Sequence, residues 1–308
     1  MELYSVAILI PCYNEELTIG RVINDLKVEL PSALIYVYDN NSTDDTFQIA
    51  QECGAIVKKE YRQGKGNVVR SMFRDIEADV YVIIDGDDTY PATNIHSLIK
   101  PIIDLEADMV VGDRLSAGHY KNENKRIFHN FGNDLVRIII NKLFNANLKD
   151  IMSGYRVFSR KFVKTIPISS CGFEVETEIT LHSLDKRFLI KEISIEYRDR
   201  PEGSFSKLST VSDGIKVLKT IFSVFKNYKP IVFFTFISAI FFLASAIIGG
   251  VVIYEFFQTS LVTKMPSAML SAGLMIIAII SLFSGFILDA IVKQHKENYE
   301  LFLNNSRI

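Results

Sequence analysis

The sequence predicts an α/β fold: a doubly wound, mostly parallel sheet, followed by an amphipathic helix and a hairpin of two membrane helices. Three observations carry this. Short β-branched runs alternate with helical stretches from residue 6 to about residue 113, the order that builds parallel sheets from β-α-β units. Several of these runs end in polar clusters, and the carboxyl ends of parallel strands form the ligand edge of an open sheet. Residues 230–254 and 265–288 carry no charge over 25 and 24 residues. Roughly 20 helical residues suffice to cross a bilayer core.

The elements follow in order. Residues 6–10 form an apolar strand closed by Pro11. Residues 18–30 have the period of an amphipathic helix. A second strand over 34–38 ends in Asp39-Asn40-Asn41-Ser42-Thr43-Asp44-Asp45-Thr46, a polar loop whose last members can cap a helix reaching Cys53. Residues 55–59 form a third strand, 62–66 a glycine-rich turn and 67–77 a helix. The strand 80–84 is uniformly apolar, as a strand buried on both faces must be. It is followed by a helix over 93–105 and a short strand 109–111 ending in Gly112-Asp113-Arg114. Later the pattern is less regular: a helix over 126–144, a polar turn over 150–156 leading into Val157-Phe158, a helix over 173–184 and a strand over 188–197. A basic loop, 198–207, closes a first domain of residues 1–207. Residues 208–229 repeat apolar positions at helical spacing with lysines between them, which fits a helix on a membrane surface. The spans fall at about 230–255 and 265–289, within 230–292, and 293–308 form a tail.

Composition narrows the class. The chain has 308 residues and a formal charge of −2, which argues against a nucleic-acid binder. Cys12, Cys53 and Cys171 lie far apart without metal-ligand spacing and read as reduced thiols. The apolar run 6–10 is too short, and lacks the basic flank, for a secretory signal. Lys216, Lys219, Lys226 and Lys229 precede the first span and Lys293 and Lys296 follow the second, against Lys264 alone in the linker. The positive-inside rule then places the first domain and both termini in the cytoplasm, on the inner face of a cell membrane. A large domain over two thin spans also makes self-association plausible.

The chemistry centres on Asp85-Gly86-Asp87-Asp88. Asp85 and Asp87 form the single D-x-D of the chain. An isolated D-x-D would read as a solvated acidic turn. At the mouth of a buried strand, like charges are kept where a cation neutralises them. Hard oxygen ligands on one loop suit Mg2+ or Mn2+, which bind carboxylates and substrate phosphates together. Arginine offers a planar fork matched to phosphate, and Arg114, Arg126, Arg156 and Arg200 are candidates. Lys65 sits between glycines but lacks the G-x-x-x-x-G-K-[S/T] of a P-loop, so it reads as a tight turn beside a nucleotide. Glu174, Glu176 and Glu178 alternate, which suits a strand or loop edge better than one face of a helix. They form a weaker candidate cluster.

Six motifs in order carry a family resemblance: I-P-C-Y-N-E (10–15), Y-D-N-N-S-T-D-D-T (38–46), G-K-G-N (64–67), D-G-D-D-T-Y-P (85–91), V-G-D-R (111–114) and D-I-M-S-G-Y-R-V-F (150–158). With them the chain resembles the family-2 glycosyltransferases of GT-A fold. Within these it is similar to the polyprenyl-phosphate glycosyltransferases related to dolichyl-phosphate mannose synthase, over about residues 5–210. The resemblance implies that Pro11, Tyr13 and Glu15 line a nucleotide pocket and that Asp39 accepts from the base. It also implies that Asp85 contacts the nucleotide, that Asp87 ligates the metal, and that Arg114 and Arg200 meet the acceptor phosphate. By the same resemblance Asp150 would sit on the loop facing the reacting sugar; it fits a metal ligand, a group orienting the acceptor, or a loop cap. Two positions depart from the mannose synthases. Thr89 replaces the glutamine of D-A-D-L-Q, and D-N-N-S replaces D-D-G-S. Both weigh against a guanosine donor; UDP-glucose or a UDP-N-acetylhexosamine is the expected donor, and UDP-galactose presents similar chemistry to this loop set.

The implied reaction is inverting sugar transfer to polyprenyl (undecaprenyl) phosphate, for cell-envelope glycan modification. A phosphate monoester, with its second pKa near 6, is already mostly dianionic at pH 7 and needs no strong base. The alternatives are a GDP-mannose-dependent polyprenyl-phosphate mannose synthase and a non-catalytic membrane scaffold. A processive polysaccharide synthase would carry Q-x-x-R-W and more spans, and this chain has no tryptophan.

Overall fold

The computed structural model describes residues 4–116, 127–172, 174–201 and 222–305. It divides into two compact units, Met1–Val217 and Leu218–Arg307. Arg126, and all of the expected surface helix up to residue 221, lie outside the described residues.

The first unit is a seven-stranded sheet of order β3-β2-β1-β4-β6-β5-β7. β1 (Val6–Cys12) pairs in parallel with β2 (Leu34–Asp39) and β4 (Val80–Ile83), and β2 with β3 (Ile56–Lys59). β5 (Met109–Asp113) is parallel to β7 (Ile190–Ser194). Only β6 (Arg156–Ser159) runs the other way, between β4 and β5. That reversal matters for the site. The first residue of β6, Arg156, pairs with Ile83 and Val111 near the carboxyl ends of their strands. The turn before it, 150–155, therefore enters along the ligand edge.

The burial pattern follows from the two-residue period of a strand. Ile8, Ile10, Val80, Val82, Val110 and Val157 turn one face toward α1 (Ile19–Glu29) and α4 (Ile95–Ile103), with Ile19, Ile23, Leu26, Leu98 and Ile99 in the same core. On the other face, Tyr81 and Phe158 each meet Phe73 of α3 (Lys65–Asp75) edge-on. Phe158 also stacks on Phe162 of α6 (Arg160–Thr165), at 5.0 Å between ring centres. α2 (Thr46–Glu52) leans on α1, and α5 (Ile127–Phe144) and α7 (Val175–Asp185) complete the unit.

Three residues at the ligand edge take backbone conformations that favour glycine. Asn14, Asn41 and Asp88, with φ of 53°, 63° and 58°, follow β1, β2 and β4. Asparagine and aspartate are the non-glycine residues most at home there.

The second unit holds α8 (Pro230–Thr259) and α9 (Met265–Asn305), both long and apolar enough to cross a membrane. Pro230 opens α8 at its first turn, where no amide hydrogen is missed. Hydroxyls join the two helices: Ser245 Oγ donates to Ser271 O at 2.8 Å, Ser271 Oγ to Ser245 O at 3.0 Å and Ser238 Oγ to Ala278 O at 2.8 Å. The pairing 245 with 271 and 238 with 278 is that of an antiparallel hairpin. α9 does not stop near residue 289. It runs to Asn305, so the expected tail is helical through that residue. Residues 289–305 contain no glycine or proline to break it.

Candidate active site

The carboxyl edge of the sheet gathers most of the residues the motifs single out. On the nucleotide side, β1 and β2 end in register, Pro11 with Tyr38 and Cys12 with Asp39. Their loops are cross-braced: Asn14 N donates to Ser42 Oγ at 2.9 Å, Thr43 N to Asn14 Oδ1 at 2.8 Å and Glu15 N to Thr46 Oγ1 at 2.8 Å. Asp39 is buried, and its carboxylate accepts from Ser42 N at 3.3 Å. Tyr13 immediately precedes the two braced residues, Asn14 and Glu15. Asn40 ties this loop to the next: its side chain donates to Glu60 O and Arg62 O and accepts from Gly64 N at 2.6 Å.

The D-x-D loop is held from both sides. Thr18 Oγ1 of the α1 entry donates to Gly86 O at 2.6 Å. Gly86 itself has no room for a side chain, because a Cβ would come 2.8 Å from Cys12 Sγ. Asp87 is 4 % exposed. One of its oxygens accepts from Thr89 Oγ1 at 2.6 Å and Thr89 N at 3.2 Å; the other meets Arg200 Nη2 in a short ion pair. Thr89 thus braces Asp87. Asp88 turns the other way, to Arg21 Nη1 at 3.1 Å. Burial pushes its carboxyl upward, against the pull of Arg21 and Arg198.

Asp85 lies between Lys65 and the turn before β6. Lys65 Nζ is 2.6 Å from Asp85 Oδ1 and 2.6 Å from Glu176 Oε1. Burial alone would depress this ammonium; the two carboxylates outweigh it and keep it protonated, with its pKa raised. Gly154 packs so closely on Asp85 that a Cβ there would collide with the carboxylate. Gly154 N in turn donates to Tyr90 Oη at 3.0 Å.

Arg114 and Asp150 form a two-pronged pair. Nε reaches Oδ2 at 2.7 Å and Nη2 reaches Oδ1 at 2.9 Å, while the Arg114 guanidinium lies 5.6 Å from the Tyr197 ring centre. Burial would raise the Asp150 carboxyl, but Arg114 overrides it and the pKa is lowered. The backbone amides of Lys149 and Asp150 both donate to Glu192, at 2.8 and 2.9 Å. Burial holds the Glu192 carboxyl above its ordinary range, despite these amide donors.

The oxygen-only donors Asp85 and Asp87 fit a hard divalent ion. Each already faces a positively charged group, so each position tolerates a cation. No three acidic, histidine or cysteine side chains converge among the described residues. The remaining ligands would therefore come from phosphate and water, as is usual for Mg2+.

The family described as Glycosyl transferase family 2 matches residues 7–166, from β1 through α6 and including this whole edge up to the turn before β6. The chain belongs to that family. Glycosyltransferase AglJ of Haloferax volcanii is 30 % identical over 300 residues, covering 95 % of each chain. Dolichyl-phosphate hexose transferase of the same organism is 28 % identical, over 71 % of this chain and 93 % of its own. Among solved structures, glucosyl-3-phosphoglycerate synthase from Mycobacterium tuberculosis, in complex with Mn2+, UDP and glucosyl-3-phosphoglycerate, superposes with a TM-score of 0.58. It is 20 % identical over 73 % of this chain and 80 % of that one. The expected fold and the resemblance to polyprenyl-phosphate transferases hold.

Within this family-2 glycosyltransferase, two sequence expectations change. Arg156 does not face a ligand. It is 1 % exposed, and its guanidinium donates to Ser153 O, Ile151 O and Thr180 Oγ1 at 2.8, 2.7 and 2.9 Å. It braces the turn from beneath. The three glutamates do not form a strand edge either. Glu176 and Glu178 open helix α7. Glu176 meets Lys65, and Glu178 accepts from Ser169 N and Ser170 N, both at 2.9 Å. Glu192 and Arg21 lie outside every motif, and the motifs that hold Asn40 and Asp88 do not show the loop tie of the one or the ion pair of the other. Lys65, expected in a tight turn beside a nucleotide, is instead the first residue of α3 and sits between two acids.

Proposed function

We propose that the protein transfers a hexose from a nucleoside diphosphate sugar, UDP-glucose or a UDP-N-acetylhexosamine, to polyprenyl phosphate, with inversion. The observation that carries this reading is the contact of Arg200 with Asp87. It sets a phosphate-binding fork against the carboxylate expected to serve the donor diphosphate, so both reactants' phosphates would meet at one place.

The residues divide the work. Asp39 and the loop around Tyr13 and Glu15 bind the nucleotide. Asp85 and Asp87 would hold Mg2+ or Mn2+, which when bound neutralises charge on the leaving diphosphate. Arg200 and Arg114 align the acceptor. An acceptor phosphate oxygen attacks the anomeric carbon from the face opposite the leaving group. The bond from that carbon to the diphosphate oxygen breaks, and its electron pair leaves with the nucleoside diphosphate. No proton need be removed, because the acceptor is already mostly dianionic at pH 7. Asp150, engaged by both prongs of Arg114, is a positioning group for that arginine. The relative named dolichyl-phosphate hexose transferase supports the lipid acceptor, and the two apolar helices suit an enzyme that must reach a lipid headgroup.

The test is detergent-purified protein with undecaprenyl phosphate, Mn2+ or Mg2+, and radiolabelled UDP-glucose, UDP-N-acetylglucosamine, UDP-N-acetylgalactosamine or GDP-mannose supplied singly. The expected result is label in a butanol extract from one UDP-sugar, reduced at least about a hundredfold in Asp87→Asn. Label from GDP-mannose alone would select the mannose-synthase reading. No lipid product from any donor, with nucleotide binding intact, would overturn the polyprenyl-phosphate acceptor.

A further inference from the structure

The G-K-G-N motif is built unlike a phosphate loop. Lys65 is the first residue of α3. Gly64 takes φ 121°, and a Cβ there would run into the backbone of Cys171; one on Gly66 would run into Ser170. Gly66 N donates to Cys171 O at 3.0 Å. The glycines therefore clamp the start of α3 onto the segment that Glu178 fixes at the head of α7. This clamp delivers Lys65 and Glu176 to the same point, beside Asp85. The lysine side chain is 10 % exposed, as is that of Glu176. Arg200, the cation on Asp87, is 30 % exposed. One of the two cations is thus locked between two acids, and the other stands at the open side.

We propose that Lys65 is a resident cation of the site. It occupies Asp85 and Glu176, denies that acid pair to free divalent ions, and so makes metal capture depend on the donor's diphosphate. Without the lysine, two carboxylates would share a buried point with nothing between them. A divalent ion would then have a pair of hard ligands before any substrate arrived. With the lysine, the local charge is too small to hold the ion strongly, and the phosphates must supply the rest. Lys65 is in these terms a positioning residue. The inference rests on the nucleotide-sugar reading only for the identity of the diphosphate.

The experiment is Mn2+ binding to the full chain in detergent, with free ion read from its electron paramagnetic resonance signal, with and without UDP. Wild type is expected to bind Mn2+ weakly alone and at least about tenfold more tightly with UDP. Lys65→Met should bind Mn2+ without UDP about tenfold more tightly than wild type, and gain less from UDP. Lys65→Arg should restore the wild-type dependence. In Lys65→Met with Glu176→Gln, where the local charge is back to its original value, affinity without UDP should return close to wild type. An unchanged or weaker nucleotide-free affinity in folded Lys65→Met would overturn the inference. Should that variant lose its cooperative thermal transition, Glu176→Gln alone decides: affinity with UDP should fall about threefold, and an unchanged value overturns the inference. If wild type gains nothing from UDP, the nucleotide reading and the conditional capture fail together. If wild type gains but Lys65→Met matches it in both conditions, only the role of Lys65 fails.

Discussion

At the scale of single residues, charge and burial compete, and Glu178 shows which wins where. Burial would raise its carboxyl, yet His182, the Ser170 hydroxyl and the amides of Ser170 and Ser169 together lower it to about 2. Between that value and the ordinary 4.5 the folded chain holds fewer protons than the unfolded one. Stability from this group is therefore complete above pH 4.5 and is lost as pH falls toward 2. Glu178→Gln should flatten that part of the curve. Melting temperatures between pH 5 and pH 3 should then fall less in the variant than in wild type; parallel curves would refute the assignment. The same competition explains what motif reading could and could not see. Asp85, Asp87, Asp39 and Arg114 were legible because each closes an apolar strand and falls within one of the ordered motifs. Arg156 looked equivalent to Arg114. Its neighbours Ile151 and Ser153 consume its donors internally, and nothing in the local sequence says so.

At the scale of elements, strands with β-branched runs were readable, while their direction in the sheet was not. β6 was expected only as a short apolar sequel to a polar turn. Its antiparallel placement between β4 and β5 depends on pairing partners 45 to 79 residues away, such as Met109 and Tyr81 for Phe158. α7 forms close to the expected helix of 173–184, and only its alternating glutamates pointed elsewhere, to a strand or loop edge, for another reason. Val175, Glu176, Thr177, Ile179, Thr180, Leu181 and Ser183 are all buried, so the helix has no single apolar stripe. Thr180 and Ser183 satisfy themselves by donating to the carbonyls of Glu176 and Ile179. The reversed β6 has a consequence for catalysis, because it presses Gly154 against Asp85. The φ of Gly154 is not positive, so alanine is acceptable to the backbone and only the added methyl intrudes. Gly154→Ala should displace the Asp85 carboxylate and leave the fold. Glycolipid synthesis should drop about a hundredfold in kcat/KM, the effect of misplacing a reacting group by about 1 Å. The melting temperature should move by a few degrees at most. A large loss of stability, or full activity, would argue against this coupling.

At the scale of the whole molecule, the proposed polyprenyl phosphate acceptor would be a lipid that cannot come to the enzyme. Each CH2 of a polyprenyl tail buried in the bilayer is worth about 0.8 kcal/mol, so a tail of many units would stay there, and a site acting on that acceptor would have to be held at headgroup height. The apolar stretches of α8 and α9 suit an anchor for that purpose. Residues 230–254 and 265–288 contain no Asp, Glu, Lys, Arg or His, whereas a path for a charged lipid head would need charged groups at mid-depth. The hairpin is closed by serine hydroxyls and by Gly249 and Gly285, which let the helices approach closely. The topology expected from the lysine distribution would put the short linker, with Lys264 and its partner Glu255 at 3.0 Å, across the membrane from both termini. That placement is testable with one reactive position on each side. Thr263→Cys in a variant with serine at positions 12, 53 and 171 should react with a membrane-impermeant maleimide on right-side-out vesicles. Exposed Cys171, kept as the single thiol, should react only after the vesicles are opened. Labelling of Cys171 from outside would place the transferase unit, and hence the lipid phosphate it uses, on the opposite leaflet. A sugar nucleotide made in the cytoplasm could not then be its donor.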